Sequence, residues 1–259
     1  MPDPSLPPDP KQGEREYYAR IGEEGLAHAL GKPFSDDACN VNLANVAALF
    51  QLLPPPPARL VEFGCGVGWL TLLLARRGYP VHGVDIAPEA IDAANAARDR
   101  AGLDHLTYAL ADYEEFDGGG TYDVAYFYDA LHHAEDAALA VRCAARALKP
   151  GGMLIAFEPG DGHHDTPEAR EVVAKFGVHE NDMPARQIIA LAEAAGFDRH
   201  LRLPFPWDTF RHIYRSSYAG ATDSRELRGK YWLGLGRLIR RAIGRQDDHS
   251  IVVSWKPTN

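Results

Sequence analysis

The sequence predicts an α/β protein built on a parallel sheet with helices packed against it, and three observations carry that expectation. Strand-like and helix-like stretches alternate through the middle of the chain. A glycine-rich turn, Val61-Glu62-Phe63-Gly64-Cys65-Gly66-Val67-Gly68, leads from the first apolar strand into a second apolar run. Carboxylates stand at the ends of successive strands, where open α/β sheets bind their ligands.

Taken in order, residues 1–12 are rich in proline and aspartate and read as a disordered tail, and Pro54 to Pro57 form a stiff linker ahead of the core. Strands are expected over 60–63, 81–84, 106–110, 122–128 and 153–157, with helices over 69–77, 88–100 and 135–148 between them. Lys149-Pro150-Gly151-Gly152 supplies the turn before the fifth strand. A helix over 184–195 ends at Gly196, and two last strands are read over 200–203 and 251–255. The divisions are a tail and cap over 1–57, a core over 58–204, a helical basic insertion over 205–248 and a last strand over 249–259, all within one domain.

Composition narrows the function. A formal charge of −9 and a pI near 5.6 argue against a general nucleic-acid binder. Cys39, Cys65 and Cys143 are odd in number and far apart, so no disulfide framework, zinc site or iron–sulfur cluster is expected, and a reducing cytoplasm fits. Neither a signal pattern nor an apolar run of membrane-spanning length is seen.

The glycine spacing separates the nucleotide classes. A dinucleotide fingerprint opening at Gly64 needs glycine where Trp69 stands, and one opening at Gly66 needs it at Thr71. A phosphate loop needs a lysine, and none occurs between Lys32 and Lys149. Glu62 is placed to face a cationic ligand, so an amine and a sulfonium fit better than a pyrophosphate. Asp85, ending the second strand, can accept from both ribose hydroxyls, while Asp112 can accept from an adenine amino group with Tyr113 lining the ring.

Over roughly residues 58 to 160 the chain resembles the class I S-adenosylmethionine-dependent methyltransferases. VEFGCGVG, GVDIAPEAI, LADYEEF, YDVAYFYDALHH and ALKPGG occur in that family's order and spacing. The resemblance implies a Rossmann-like sheet of seven strands with helices on both faces and the last strand antiparallel. It also implies S-adenosyl-L-methionine as cofactor, with Gly64, Gly66 and Gly68 against its methionyl part, Asp85 on the ribose and Asp112 on the adenine. Cys65, Ile86, Tyr113 and Tyr128 complete the implied contacts. In this fold the segment from Tyr17 to Asn40 covers the cofactor mouth, and Tyr17, Tyr18 and Arg20 are candidates for the methionine carboxylate.

Methyl transfer from sulfur is an in-line displacement, helped by a base when the acceptor is a hydroxyl. The fourth strand ends in Asp129-Ala130-Leu131-His132-His133, which offers two imidazoles with Asp129 to orient one of them. No Asn/Asp-Pro-Pro-aromatic stretch of the base-methylating families is present. After the fifth strand, Glu158, His163 and His164 are candidates for acceptor binding; adjacent histidines on a loop rarely aim at one ion, and no metal site is expected.

Residues 199–245 carry a formal charge of +8 against −17 for the rest, so one segment holds the basic excess. At about 100° per residue, Trp232, Leu235, Leu238, Ile239, Ala242 and Ile243 share one arc of a helix, with Lys230, Arg237, Arg240, Arg241 and Arg245 on another. Such a helix over 230–245 can lie on an anionic membrane, making the protein peripheral at the inner membrane face, or meet a phosphate-bearing acceptor. The stretch from EPGDGHHD through KFGVHENDMP to AAGF is similar to methyltransferases of bacterial glycan gene sets, which implies O-methylation of a saccharide hydroxyl. N-methylation of an amino sugar or small amine, and a non-catalytic nucleoside-binding accessory module, are the alternatives.

Overall fold

The computed structural model describes residues 9–214, 218, 220–243 and 249–258. Seven strands form one sheet in the order β3-β2-β1-β4-β5-β7-β6. β1 (Leu60–Phe63), β2 (Val81–Asp85), β3 (Leu106–Leu110), β4 (Tyr122–Tyr128) and β5 (Leu148–Pro159) are mutually parallel. β7 (His249–Trp255) is inserted antiparallel between β5 and β6 (Arg199–Pro204), as the family resemblance implied. Successive strands move outward from β1 to β3, and then the chain returns to place β4 on the other side of β1. That reversal opens a crevice beyond the carboxyl ends of β1 and β4.

The four residues of β1 are all buried, so both faces of the sheet must be covered. On one face Val61, Phe63 and Phe127 pack with Val141 of α5 (Ala137–Ala147) and Ile188 of α7 (Ala185–Ala194). On the other, Leu60 and Tyr126 pack with Leu49 of α2 (Cys39–Leu52) and with Leu70 and Leu74 of α3 (Trp69–Arg76). Each such buried leucine or phenylalanine contributes roughly 1.5–3 kcal/mol relative to exposure.

Local chemistry sets the helix ends. α4 (Pro88–Ala101) starts on a proline, whose missing N–H is no loss in the first turn, and stops at Gly102 with φ +64°. Asp136 caps α5 by accepting the Leu139 N–H at 2.9 Å, and Thr166 caps α6 (Pro167–Phe176) through the Ala169 N–H at 3.2 Å.

Two expectations are corrected. Lys149 to Gly152 belong to β5, where a register shift absorbs them between the Tyr122–Leu148 and Val124–Met153 pairs. Of the expected tail, Lys11 is tied to Asp112 and Glu114, and Gln12 already opens α1 (Gln12–Gly31), which kinks at Gly22 where φ is +69°; residues 1–8 lie outside the described ones. The insertion holds α8 (Pro206–Ile213) and α9 (Ser224–Ile243). No helix among the described residues is long and apolar enough to cross a membrane.

Candidate cofactor and acceptor site

The glycine turn is tied to the end of β2. Gly64 and Cys65 both donate their N–H to the Val84 carbonyl, at 2.9 and 3.0 Å. Asp85 Oδ2 accepts the Gly66 N–H at 2.7 Å and its Oδ1 the Ala87 N–H at 2.9 Å, so one carboxylate shapes two turns. Burial raises the Asp85 pKa, against the pull of these backbone donors. Gly66 has φ +51°, and a Cβ there would sit 2.3 Å from the Tyr18 hydroxyl, so only glycine fits without displacing that ring.

Above the turn, α1 roofs a cavity of about 300 Å³. Gly64, Gly66, Asp85, Ile86, Asp112 and Tyr113 line it together with Asp129, Ala130, His133 and Glu180. Glu14, Tyr17 and Tyr18 of α1 form the roof. Six carboxyl groups, those of Glu14, Asp85, Asp112, Glu114, Asp129 and Glu180, face it against the cations of Lys11 and Lys32. Such a wall fits a positively charged, hydroxyl-bearing ligand better than a pyrophosphate. Asp112 Oδ1 accepts the Glu114 N–H, while its Oδ2 and the Glu114 carboxylate bind Lys11 Nζ at 2.7 and 2.9 Å. Tyr113 stands edge-on to Phe63 and Phe127 and donates its hydroxyl to the Ala130 carbonyl at 3.1 Å.

The two histidines differ sharply. His132 is buried, with Nδ1 2.7 Å from Glu158 Oε2. Glu158 also accepts the N–H groups of Ala130 and Leu131, so it organises the whole turn after β4. Burial opposes a charge on His132, but the bond to Glu158 and the fields of Glu158, Asp129 and Glu180 outweigh it and push its pKa up to about 9. His133 lines the cavity, and its Nδ1 lies 2.6 Å from the His179 carbonyl. A carbonyl only accepts, so Nδ1 carries the proton and Nε2 the lone pair. Burial and then the neighbouring His132 push the His133 pKa down to about 4. One imidazole is therefore held charged and the other neutral.

Several expected site residues stand elsewhere. Glu62 is buried beneath the turn, accepts the Tyr126 hydroxyl at 2.8 Å and does not line the cavity; burial pushes its pKa to about 8. The Cys65 thiol is buried, and Gly68 lies under the Tyr108 hydroxyl, 2.2 Å from where its Cβ would be. Tyr128 points to the opposite side of the sheet, where its hydroxyl meets Asn42 and Asn45, each at 3.1 Å. Arg20 donates to the Phe176 carbonyl and to Glu16 rather than turning into the cavity. His132 is oriented by Glu158; Asp129 is 71% exposed and 4.0 Å away. Neither Glu158 nor His164 lines the cavity, His164 being paired with Asp182 at 2.9 Å, and His163 reaches it only through Glu180 at 2.6 Å.

Sequence reasoning missed Lys11, Glu14 and Glu180. Nothing in local pattern joins residue 14 to residue 179, 165 positions apart, although the His179 N–H donates to Glu14 Oε1 at 2.7 Å. Among the described residues His132, His133 and Glu180 each bring one potential ligand atom within 4.8 Å of the others, a convergence that the spacing of the expected His163-His164 pair did not announce.

Residues 61–156 match the family model of the methyltransferase domain. Among curated proteins, the ubiquinone biosynthesis O-methyltransferase of Methylocella silvestris is 34% identical over 99 residues, 38% of either chain. The 2-heptyl-1-hydroxyquinolin-4(1H)-one methyltransferase of Mycobacteroides abscessus is 32% identical over 140 residues, 49% of this chain and 62% of that one. The matches thus span less than two thirds of these relatives. Among solved structures, the Haemonchus contortus phosphoethanolamine N-methyltransferase 2 in complex with S-adenosyl-L-methionine superposes with a TM-score of 0.67 over 99% of this chain and 61% of that one, at 20% identity. Residues 61–156 are a methyltransferase domain, and the sheet around them has the fold of the S-adenosylmethionine-dependent methyltransferases.

Proposed function

We propose that the protein transfers a methyl group from S-adenosylmethionine to a hydroxyl of a small-molecule acceptor. The observation that carries the reading is that Asp85, Asp112 and a neutral, tautomer-fixed His133 line one cavity beneath α1. The cofactor supplies an electrophilic methyl on a sulfonium. Asp85 and Asp112 bind and orient its nucleoside end, the carboxyl-rich wall accommodates its positive charge, and the α1 roof excludes water. His133 Nε2 accepts the proton of the acceptor hydroxyl, while Nδ1 keeps its bond to the His179 carbonyl. His132 and Glu158 hold the turn that presents His133.

The acceptor of first choice is a saccharide hydroxyl, supported by the polar side chains of Asp129, His133 and Glu180 in the cavity lining. The same polar lining also suits a small amine, and the solved N-methyltransferase neighbour makes that the second reading. Incubating the protein with methyl-labelled cofactor and separate glycan, phenol and amine fractions tests it. Label in a hydroxylated fraction, stable as an ether, is the expected result; label confined to amines rejects the O-methylation, and cofactor binding without label in any fraction favours a non-catalytic nucleoside-binding module.

A peripheral contact is proposed for α9. Trp232 and Leu233 are each 64% exposed and Ile239 51%, while Leu235 and Leu238 are half-buried, so the apolar arc expected from the sequence is split between core and solvent. Arg225, Arg228, Trp232 and Ile239 share one side of the helix, a pairing of aromatic and cationic groups that suits an anionic lipid surface. The side chains of Arg241, Ala242 and Ile243 and the whole of Arg245 lie outside the described residues.

A further inference from the structure

We propose that Glu14 is a positioning residue that couples closure of α1 over the cavity to the orientation of His133. The inference rests on the reading of His133 given above.

The chain of contacts is short. Glu14 Oε1 accepts the His179 N–H at 2.7 Å, the His179 carbonyl accepts His133 Nδ1–H at 2.6 Å, and Glu14 Oε1 itself lies 3.8 Å from that nitrogen. A single peptide residue therefore relays the position of the roof to the imidazole. The approach that makes this possible is built into the backbone: a Cβ on Gly13 would lie 2.1 Å from the Gly177 carbonyl oxygen, so α1 can dock on the start of this segment only with glycine there. Arg20 Nη1 fastens the same helix to the Phe176 carbonyl at 2.9 Å, and Tyr17 stands edge-on to the Phe176 ring. On its other side the segment is stapled to the histidine turn, with the Asn181 side chain donating to the His132 and Ala134 carbonyls at 3.0 and 3.2 Å.

Segment 177–181 is thus clamped between roof and histidine turn. With α1 away, the His179 N–H loses its buried acceptor and the peptide that fixes the His133 tautomer is held from one side only. With α1 closed, the cavity is roofed and Nε2 becomes the lone-pair atom in the same event. Enclosure and base alignment become one transition.

The test compares Glu14→Ala, which removes the acceptor, with Glu14→Gln, whose amide oxygen retains it. In protein saturated with S-adenosylhomocysteine, nitrogen NMR of the imidazoles is expected to show His133 as the Nδ1–H tautomer in the wild type and in Glu14→Gln, and as a mixture of tautomers in Glu14→Ala. Both variants lose the same carboxyl from the cavity wall and are expected to raise the KM for the cofactor alike, while kcat of Glu14→Ala is expected to fall about tenfold or more below that of Glu14→Gln. The Asn181 hydrogen bonds involve no atom of Glu14, and thermal melts of both variants within a few degrees of the wild type are expected to show the fold retained. A fixed His133 tautomer in Glu14→Ala, or equal losses of kcat in the two variants, overturns the proposal. Absence of methyl transfer by the wild type would reject the function while leaving the tautomer measurement to decide the coupling.

Discussion

At the scale of single residues, the pair His132 and His133 shows how neighbouring imidazoles of one turn acquire opposite properties. The charged one is buried beside Glu158, and the neutral one faces the cavity with its Nδ1 on a carbonyl. Environments that push two titrating groups apart mark where proton transfer is arranged. Replacing His133 by alanine is expected to lower kcat on a hydroxyl acceptor by about 10²–10⁴-fold, and on an amine acceptor by less than about threefold, because an amine attacks as the neutral base. Steady-state rates on both acceptors check this. His132 makes a separate prediction for stability. Its folded pKa, near 9, lies above its unfolded value of about 6.5, so its charged form stabilises the fold fully below pH 6.5, and that contribution disappears as the pH rises through 9. Thermal melts across pH 6 to about 10 should therefore show a falling Tm in the wild type, and a flatter one in His132→Gln, whose amide keeps a donor for Glu158 without titrating.

Among the elements, α1 and the glycine turn explain which parts of the site were legible in the sequence. The turn, Asp85, Asp112 and the histidines are local to strand ends, so periodicity and spacing placed them at the crevice before any contact was known. Glu62 and Tyr128 were misplaced because adjacent strand residues point to opposite sides and loop contacts decide which side is the cavity. Lys11, Glu14 and Glu180 were illegible for another reason: their partners lie far along the chain, and no local signal encodes such pairings. The packing of Tyr18 on Gly66 turns this into an experiment. Gly66→Ala places a methyl against the Tyr18 hydroxyl and also strains a residue at φ +51°, which costs about 1–2 kcal/mol by itself. Affinity for S-adenosylhomocysteine is expected to drop about tenfold or more. Adding Tyr18→Phe, which removes the clashing oxygen, should recover part of the loss; no recovery in calorimetric titrations would mean that the roof does not rest on the turn.

For the whole molecule, the reversal of strand order between β1 and β4 is what gathers these residues at one crevice, and the antiparallel β7 joins β5 to the edge strand β6. That architecture was readable from the alternation of strands and helices together with the family resemblance. The insertion was readable in charge but not in packing, since α9 turns Trp232 and Leu233 outward. Cosedimentation with vesicles containing anionic lipid is expected to retain the protein at low salt and release it at about 1 M salt, where the Debye length is near 3 Å. Substituting Trp232 and Arg228 together should abolish retention, and binding that ignores both substitutions would reject the surface. The most direct test of the central claim, that the cavity beneath α1 holds S-adenosylmethionine through Asp85 and Asp112, is a calorimetric titration of S-adenosylhomocysteine into the wild type, Asp85→Asn and Asp112→Asn. Losing charged hydrogen bonds of about 1.5–3 kcal/mol should weaken each variant by roughly 10–150-fold; affinities equal to that of the wild type would contradict it.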